Sequence, residues 1–196
     1  MTVELLSAFA AFGFVSSITP GPNNLMLMSS GANYGMKKTL PHLFGVGIGF
    51  TLMIVIVGLG IMELFNAFPI TLDILKYASI VYLLFLAKKI AFSENTVNHQ
   101  QVTSKPMTFF QAAMFQWVNP KAWIMAVSAI SIYAPSTEFI AVLLISLLYG
   151  AINLPCISFW VVLGQKMQKF LTSPERLKLF NYTMAVLLVG SVVPSF

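Results

Sequence analysis

The sequence predicts an all-α membrane protein with six transmembrane helices, arranged as two inverted three-helix repeats, and three observations support this fold class. The chain is too apolar for a soluble domain, with 58% hydrophobic and only 9% charged residues and a mean hydropathy of +0.84. Soluble domains have about 25% charged residues. Six hydrophobic segments follow one another along the chain, and basic residues alternate between the stretches that join them.

The hydrophobic segments fill the chain, so residues 1–196 are interpreted as a single transmembrane domain. A six-helix bundle needs about 20 residues per span, which leaves no room for a separate soluble domain. A polar linker at 93–106 divides the chain into half-repeats of about 5–92 and 107–194. The segments run roughly over 5–33, 41–65, 72–92, 107–132, 139–163 and 178–195.

Basic residues predict the orientation. Nine of the eleven lie in the first, third and fifth connecting stretches, and the two termini and the second and fourth stretches carry none of these nine. The positive-inside rule then places the odd-numbered stretches in the cytoplasm and both termini outside. Because each half has three helices, the halves have opposite topology. The nine residues are Lys37, Lys38, Lys88, Lys89, Lys105, Lys166, Lys169, Arg176 and Lys178.

Two proline-containing stretches, 100 residues apart, interrupt the first segment of each half. Matched interruptions of this kind indicate the binding site of a transporter, near the membrane midplane. Pro20 and Pro22 lack backbone N–H groups, and their rings clash with the carbonyl four residues earlier, so the first helix is predicted to split near Thr19. The alternative is a kink that only shapes helix packing.

Freed carbonyls at the first break, from about Ser16 to Ile18 and on through Thr19–Gly21, can accept a ligand ammonium. The helix that follows has a partially positive N-terminus, which suits a carboxylate. The predicted substrate-binding residues here are Thr19, Pro20, Gly21, Pro22, Asn23 and Asn24.

The second break places a lysine inside an apolar segment. Gln116, Asn119, Pro120 and Lys121 form this constellation. An intramembrane lysine costs roughly 2.5–3.5 kcal/mol on insertion scales, so it is rare without a role. We expect Lys121, with Asn119, to hold a substrate carboxylate. The alternative is that Lys121 binds carbonyls freed by Pro120 and stabilises the kink.

Three further features carry predictions. Asn153 and Pro155 are predicted to break the fifth helix, with Asn153 either facing a cavity or bonding another helix. Gly45 and Gly49, four residues apart, form a stripe that allows close approach of a helix from this chain or from a second copy in a homodimer. His42 either relays a proton or, as the favoured interpretation, is solvated at the membrane interface.

The motifs resemble a known family. Gly21-Pro22 is followed by Gly35, Thr39, Gly45 and Gly49, and residues 116–121 read Gln-Trp-Val-Asn-Pro-Lys. In this the chain is similar to the lysine-exporter superfamily, in its homoserine/threonine-resistance (RhtB-type) branch. Thr39 replaces the glycine of the family pattern, at a position expected in the first cytoplasmic loop.

The resemblance implies a bacterial inner-membrane exporter of amino acids or their derivatives, driven by the proton motive force through proton antiport. Asn24 after the Thr-Pro-Gly-Pro-Asn run is similar to the cysteine/O-acetylserine exporters of that branch. The residue that couples protons is left open between Glu63, Asp73, His42 and Lys121.

Other classes of protein find little support in the sequence. It lacks the His-Glu-x-x-His, Gly-x-Ser-x-Gly and phosphate-binding glycine motifs, so no enzyme, metal site or cofactor is expected. The net charge of +5 reflects residues flanking membrane segments and does not indicate nucleic-acid binding. A membrane interaction subunit without transport activity, and a channel for small polar solutes, remain alternatives.

Overall fold

The computed structural model describes residues 2–61, 67–68, 70–93, 105–136 and 138–191. In these residues the chain is helical without strands, which confirms the all-α prediction. Two stretches are long and apolar enough to cross a membrane, Pro22–Ile61 and Phe139–Met167. The six-span inverted repeat stays a prediction. The helices are α1 (Val3–Ile18), α2 (Pro22–Ile56), α3 (Ile70–Ala91), α4 (Phe109–Phe115), α5 (Pro120–Ser128), α6 (Phe139–Met167) and α7 (Pro174–Gly190).

Both proline stretches interrupt the helices where the sequence predicts. At the first break α1 ends at Ile18 and α2 begins with Pro22 as its first residue. At the second break, a 3-10 turn over Gln116–Val118 follows α4, and Asn119 is extended before α5 begins at Pro120. Proline is favoured at the first position of a helix because no N–H is needed there.

Gly35 divides α2 into two helical parts, and this corrects the prediction of a loop. Its φ of 77° and ψ of 170° are open to glycine and rare for other residues. Thr39, expected in a cytoplasmic loop, is instead helical and buried. Its hydroxyl donates to Gly35 O at 2.8 Å and lies 2.9 Å from Ser30 Oγ. The side chain therefore braces the bend.

The prediction that Asn153 and Pro155 break the fifth helix is wrong, because α6 runs unbroken from Phe139 to Met167. A single proline removes one hydrogen bond and bends a helix, but neighbouring i to i−4 bonds hold the two sides together. Two prolines around a glycine, as in the first break, remove too many of these bonds.

Glycines let the helices pack closely. A Cβ on Gly49 would lie 2.6 Å from Ala113 Cα, and one on Gly45 would overlap Phe109 O. The stripe on α2 therefore serves close packing against α4, as predicted, and its partner is internal. Gly31 and Gly164 allow the same approach between α2 and α6. A homodimer remains a prediction, and the glycine stripe is not available as its contact surface.

The basic stretches lie together at one end of the bundle, hereafter the lysine-rich end. Asn33, next to the bend in α2, donates to Asn181 Oδ1 on α7 at 2.9 Å, and Asn181 donates to Ser93 Oγ after α3 at 2.8 Å. These bonds join the three stretches that carry the nine basic residues. Glu63 and residues 94–104 of the predicted linker lie outside the described part of the chain.

Candidate functional site

The two breaks meet around one small cavity, hereafter the central cavity, between the apolar clusters of the two ends of the bundle. Its free space, including the part open to solvent, is about 320 Å³. The enclosed part has room for about one water molecule. The residues that line it are Ser16, Ser17, Gly21, Asn23, Asn24, Phe50, Asn119, Lys121, Ala122, Met125, Asn153 and Ile157.

Six of the eleven residues predicted to bind substrate therefore line one cavity. Three others reach it indirectly, Thr19 and Pro20 through bonds to Lys121 and Gln116 through Asn23. The remaining two, Pro22 and Pro120, form the first residues of α2 and α5. These residues lie up to about 130 positions apart in the chain, and the fold brings them together. Their role in binding substrate stays a prediction.

The carbonyls freed by the first break already accept hydrogen bonds from this protein. Ser17 O and Thr19 O accept from Asn24 Nδ2 at 2.8 and 2.7 Å. Ile18 O accepts from the indole of Trp160 at 3.0 Å, and Ser16 O accepts from the Thr19 hydroxyl at 3.1 Å. Carbonyl oxygens have two lone pairs. Their predicted role as acceptors of a ligand ammonium stays a prediction.

Lys121 joins the two breaks. Its Nζ donates to Thr19 O at 2.8 Å, to Thr19 Oγ1 at 2.9 Å and to Pro20 O at 3.3 Å. These acceptors belong to the first break. The alternative interpretation, in which Lys121 binds carbonyls freed by Pro120, is not what the structure shows. All three acceptors are neutral. The positive charge is held at the cavity wall by dipoles alone, an arrangement that attracts an anion.

Two side-chain amides also bridge the breaks. Asn23 Nδ2 donates to Gln116 Oε1 at 2.8 Å, and Gln116 Nε2 donates back to Asn23 Oδ1 at 3.2 Å. Gln116 Nε2 lies 2.9 Å from Ala112 O, which fixes its orientation. The pair holds the start of α2 beside the end of α4.

The second break is repaired by its own neighbours. Asn119 N–H donates to Gln116 O at 3.3 Å, and the Trp123 indole donates to Trp117 O at 2.9 Å. One acceptor is left over. Asn119 is 2% exposed, and its Oδ1 has no hydrogen-bond partner among the described residues.

Ser17 Oγ, across the central cavity, is likewise buried and without a partner in the described part of the chain. Leaving a buried polar atom unpaired costs about 1–3 kcal/mol, so such atoms point to a ligand or solvent. Asn153, 3% exposed on α6, completes the polar wall. The cavity thus offers a cation, unpaired oxygens and amides.

An aromatic cluster closes one side of the cavity. The Tyr149 hydroxyl lies 2.6 Å from Ser16 Oγ, and its ring packs edge-on against Phe9, Phe12 and Phe50. Tyr149 is fully buried. Aromatic rings and a paired hydroxyl form a wall that excludes water.

Sequence reasoning missed several residues of this site. At Ser16 and Ser17 it considered only the carbonyls, although two hydroxyls just before the first break were a usable signal. Tyr149 and Trp160 had none, because their positions in α6 show no local pattern and they meet the break from more than 130 residues away. All three tryptophans of the chain, Trp117, Trp123 and Trp160, border one break or the other.

The favoured interpretation placed His42 in water at the membrane interface, and this prediction is wrong. It is 1% exposed, and neither ring nitrogen has a hydrogen-bond partner among the residues that the structure describes. It lies away from the central cavity. Three or more His, Cys, Asp or Glu side chains that could hold a metal are not found together in the described residues.

Comparison with known proteins identifies the family of the chain. The family described as LysE type translocator matches residues 14–192. The chain is 30% identical to the cysteine/O-acetylserine efflux proteins of Escherichia coli (strain K12) and Shigella sonnei (strain Ss046), over the full length of both chains. No solved structure matches. With a family match over most of its length, the chain belongs to the LysE type translocator family.

Proposed function

We propose that this translocator exports small amino acids or their derivatives across the bacterial inner membrane, in the class of cysteine, O-acetylserine, homoserine and threonine. The observation that carries the proposal is the central cavity, where the Lys121 ammonium and the unpaired Asn119 Oδ1 line the same space at the junction of the two breaks. An amino acid presents the complementary groups, a carboxylate for the lysine and an ammonium for the amide oxygen.

The substrate carboxylate binds Lys121. The lysine has three N–H donors, and its longest bond, 3.3 Å to Pro20 O, is the one most readily exchanged for a carboxylate. A carboxylate carries a full negative charge and a carbonyl oxygen only a partial one, so the ammonium is attracted more strongly to the carboxylate, which favours the exchange. The substrate ammonium is accepted by Asn119 Oδ1 and Ser17 Oγ, the two unpaired oxygens, with Asn153 and the carbonyls of Thr19–Gly21 nearby.

The exchange at Lys121 links binding to movement of the helices. The bonds of Lys121 to Thr19 and Pro20 hold the first break against α5. The enclosed space holds only about one water molecule, so the cavity must widen before it admits an amino acid. A carboxylate that replaces Pro20 O weakens the link and favours the wider state, as alternating access requires.

Protons drive export in this proposal. Of the candidates for coupling, Glu63 lies outside the described residues, Asp73 is exposed in the first turn of α3, and His42 and Lys121 are described above. Substrate-driven proton movement in proteoliposomes is expected to persist in a Glu63→Gln/Asp73→Asn double variant. Its loss there, with Lys121 intact, would assign coupling to the carboxylates.

The proposed orientation places the lysine-rich end in the cytoplasm and both termini outside. It rests on the nine basic residues, which the hydrogen bonds between α2, α3 and α7 gather at one end. A reporter fused to the C-terminus that is active only outside the cytoplasm tests it. A homodimer is proposed with no contact assigned.

The test of function is export from cells preloaded with a panel of amino acids, with wild type, Lys121→Ala, Pro20→Ala and the control Lys88→Ala at matched membrane levels. If Lys121→Ala and Pro20→Ala lose efflux of one or a few amino acids and Lys88→Ala does not, the result supports the site and names the substrate. Absence of amino acid efflux from wild type would contradict the proposal. Efflux that does not saturate with substrate and is insensitive to uncouplers would indicate a channel. Variants that lose assembly with a partner protein but keep their flux would indicate an interaction subunit.

A further inference from the structure

A second polar cavity lies at the lysine-rich end, apart from the central cavity. It is bounded by the bend of α2, the end of α3 and the segment that leads into α4, and its free space, including the part open to solvent, is about 440 Å³. We call it the end cavity. It is lined by Met26, Ser29, Ser30, Asn33, Tyr34, His42, Leu86, Lys89, Ile90, Ser93, Lys105, Pro106 and Met107.

His42 is the central polar group of this wall. The ring is 1% exposed, lines the cavity, and has neither nitrogen bonded to any described residue. An imidazole carries at least one N–H donor in every protonation state. A buried donor that faces a cavity without a protein partner points to a ligand that accepts a hydrogen bond.

The charge of the end cavity selects an anion. Lys89 and Lys105 are exposed lining residues, and none of the described lining residues carries a carboxylate. The other titratable groups facing His42 from these elements are Lys89, Lys105 and Tyr34. Two cations around a partly enclosed space raise the local concentration of anions and speed their binding.

The wall is held in a fixed arrangement before any ligand arrives. Asn33 and Asn181 exchange two amide hydrogen bonds, at 2.9 and 3.3 Å, and Asn181 also donates to Ser93 Oγ at 2.8 Å. Ser30 Oγ lies 2.9 Å from Thr39 Oγ1 at the bend. A pre-formed wall lowers the entropic cost of binding.

The first part of α2 links the two cavities. Asn23 and Asn24 line the central cavity, and Ser29 and Ser30 line the end cavity. With a rise of about 1.5 Å per residue, the seven positions from Asn23 to Ser30 separate them by about 10 Å. The two cavities therefore lie along the same helix, and the end cavity is the one nearer the lysine-rich end.

We propose that the end cavity is a second binding site, which takes the carboxylate of the exported amino acid at the lysine-rich end before the amino acid reaches the central cavity. His42 donates a hydrogen bond to the carboxylate, and Lys89 and Lys105 supply the positive charge. The inference rests on the proposed function and adds to it a site outside the two breaks.

The test measures uptake of O-acetyl-L-serine into inside-out membrane vesicles, where the lysine-rich end is outward in the proposed orientation. Lys89→Gln/Lys105→Gln and His42→Leu are compared with wild type, and Lys88→Gln is the matched control, one position along the same helix but not a lining residue. The KM is expected to rise about tenfold in the first two with kcat within about twofold, since a charge-assisted bond is lost. Lys88→Gln should match wild type.

A role in packing alone gives a different pattern. It would lower the amount of folded protein or kcat, and it would raise the KM equally for uptake into right-side-out vesicles, whereas the proposal confines the rise to the lysine-rich face. An unchanged KM in both the exposed-lysine double variant and His42→Leu would overturn the inference. Absence of uptake by wild type would instead refute the proposed function, so the two failures are distinguishable.

Discussion

The two proline breaks look alike in sequence, yet they are repaired in different ways. At the first, the freed carbonyls are held by side chains from three helices, namely Asn24 of α2, Lys121 of α5 and Trp160 of α6. At the second, the donors are local, Asn119 N–H and the Trp123 indole. The first break therefore depends on the rest of the fold, and the second leaves Asn119 Oδ1 without a hydrogen-bond partner among the described residues.

A single proline does not by itself interrupt a helix of this protein. Pro155 lies within α6 without interrupting it, because one missing N–H leaves its neighbours bonded. The donors to the carbonyls of the first break include Lys121, which belongs to the second break and also lines the central cavity. A ligand that competes for those donors, above all Lys121, acts on both breaks at once.

The largest effect is expected from Lys121→Met, which removes the charge but keeps most of the volume. The variant should lower kcat/KM for amino acid export by about 100-fold, since it removes the half-buried charged group that pairs with the substrate carboxylate. Transport by reconstituted protein measures this, with Lys88→Met as control. Wild-type rates at equal protein amounts would remove Lys121 from binding.

Asn24→Leu tests the dependence of the first break on its neighbours. The change removes the side-chain donor to Ser17 O and one of the donors to Thr19 O. We expect a loss of about 1–3 kcal/mol in the free energy of unfolding, read from thermal unfolding in detergent. An unchanged unfolding temperature would mean that the break needs no such support.

Asn119→Leu tests the opposite property of the second break. Because Asn119 Oδ1 has no partner among the described residues, its removal should not lower the unfolding temperature. The KM for export is expected to rise about tenfold, as one acceptor of the substrate ammonium is lost. A variant that unfolds early while keeping its KM would reverse the roles assigned to the two asparagines.

Trp160→Phe gives the smallest effect in this series. It keeps an aromatic ring against the first break and removes the indole donor to Ile18 O. The free energy of unfolding should fall by about 1 kcal/mol, the usual net value of one hydrogen bond. Equal stability of the variant and wild type would show that Ile18 O needs no protein donor.

The sequence predicted the positions of both breaks and half of the residues that line the central cavity, because proline and glycine act locally and Lys121 is conspicuous in an apolar segment. It failed where the outcome depends on distant contacts. The unbroken path through Pro155, the buried Thr39 at the Gly35 bend and the burial of His42 all result from helix packing.

The central claim is that an amino acid binds between the two breaks through Lys121. The three tryptophans of the chain border these breaks, so their fluorescence reports on this region directly. Titration of the purified protein with O-acetyl-L-serine should give a saturable change in emission, with half-saturation near the transport KM, and Lys121→Met should abolish it. No change at concentrations that saturate transport, or the same change in Lys121→Met, would contradict the claim.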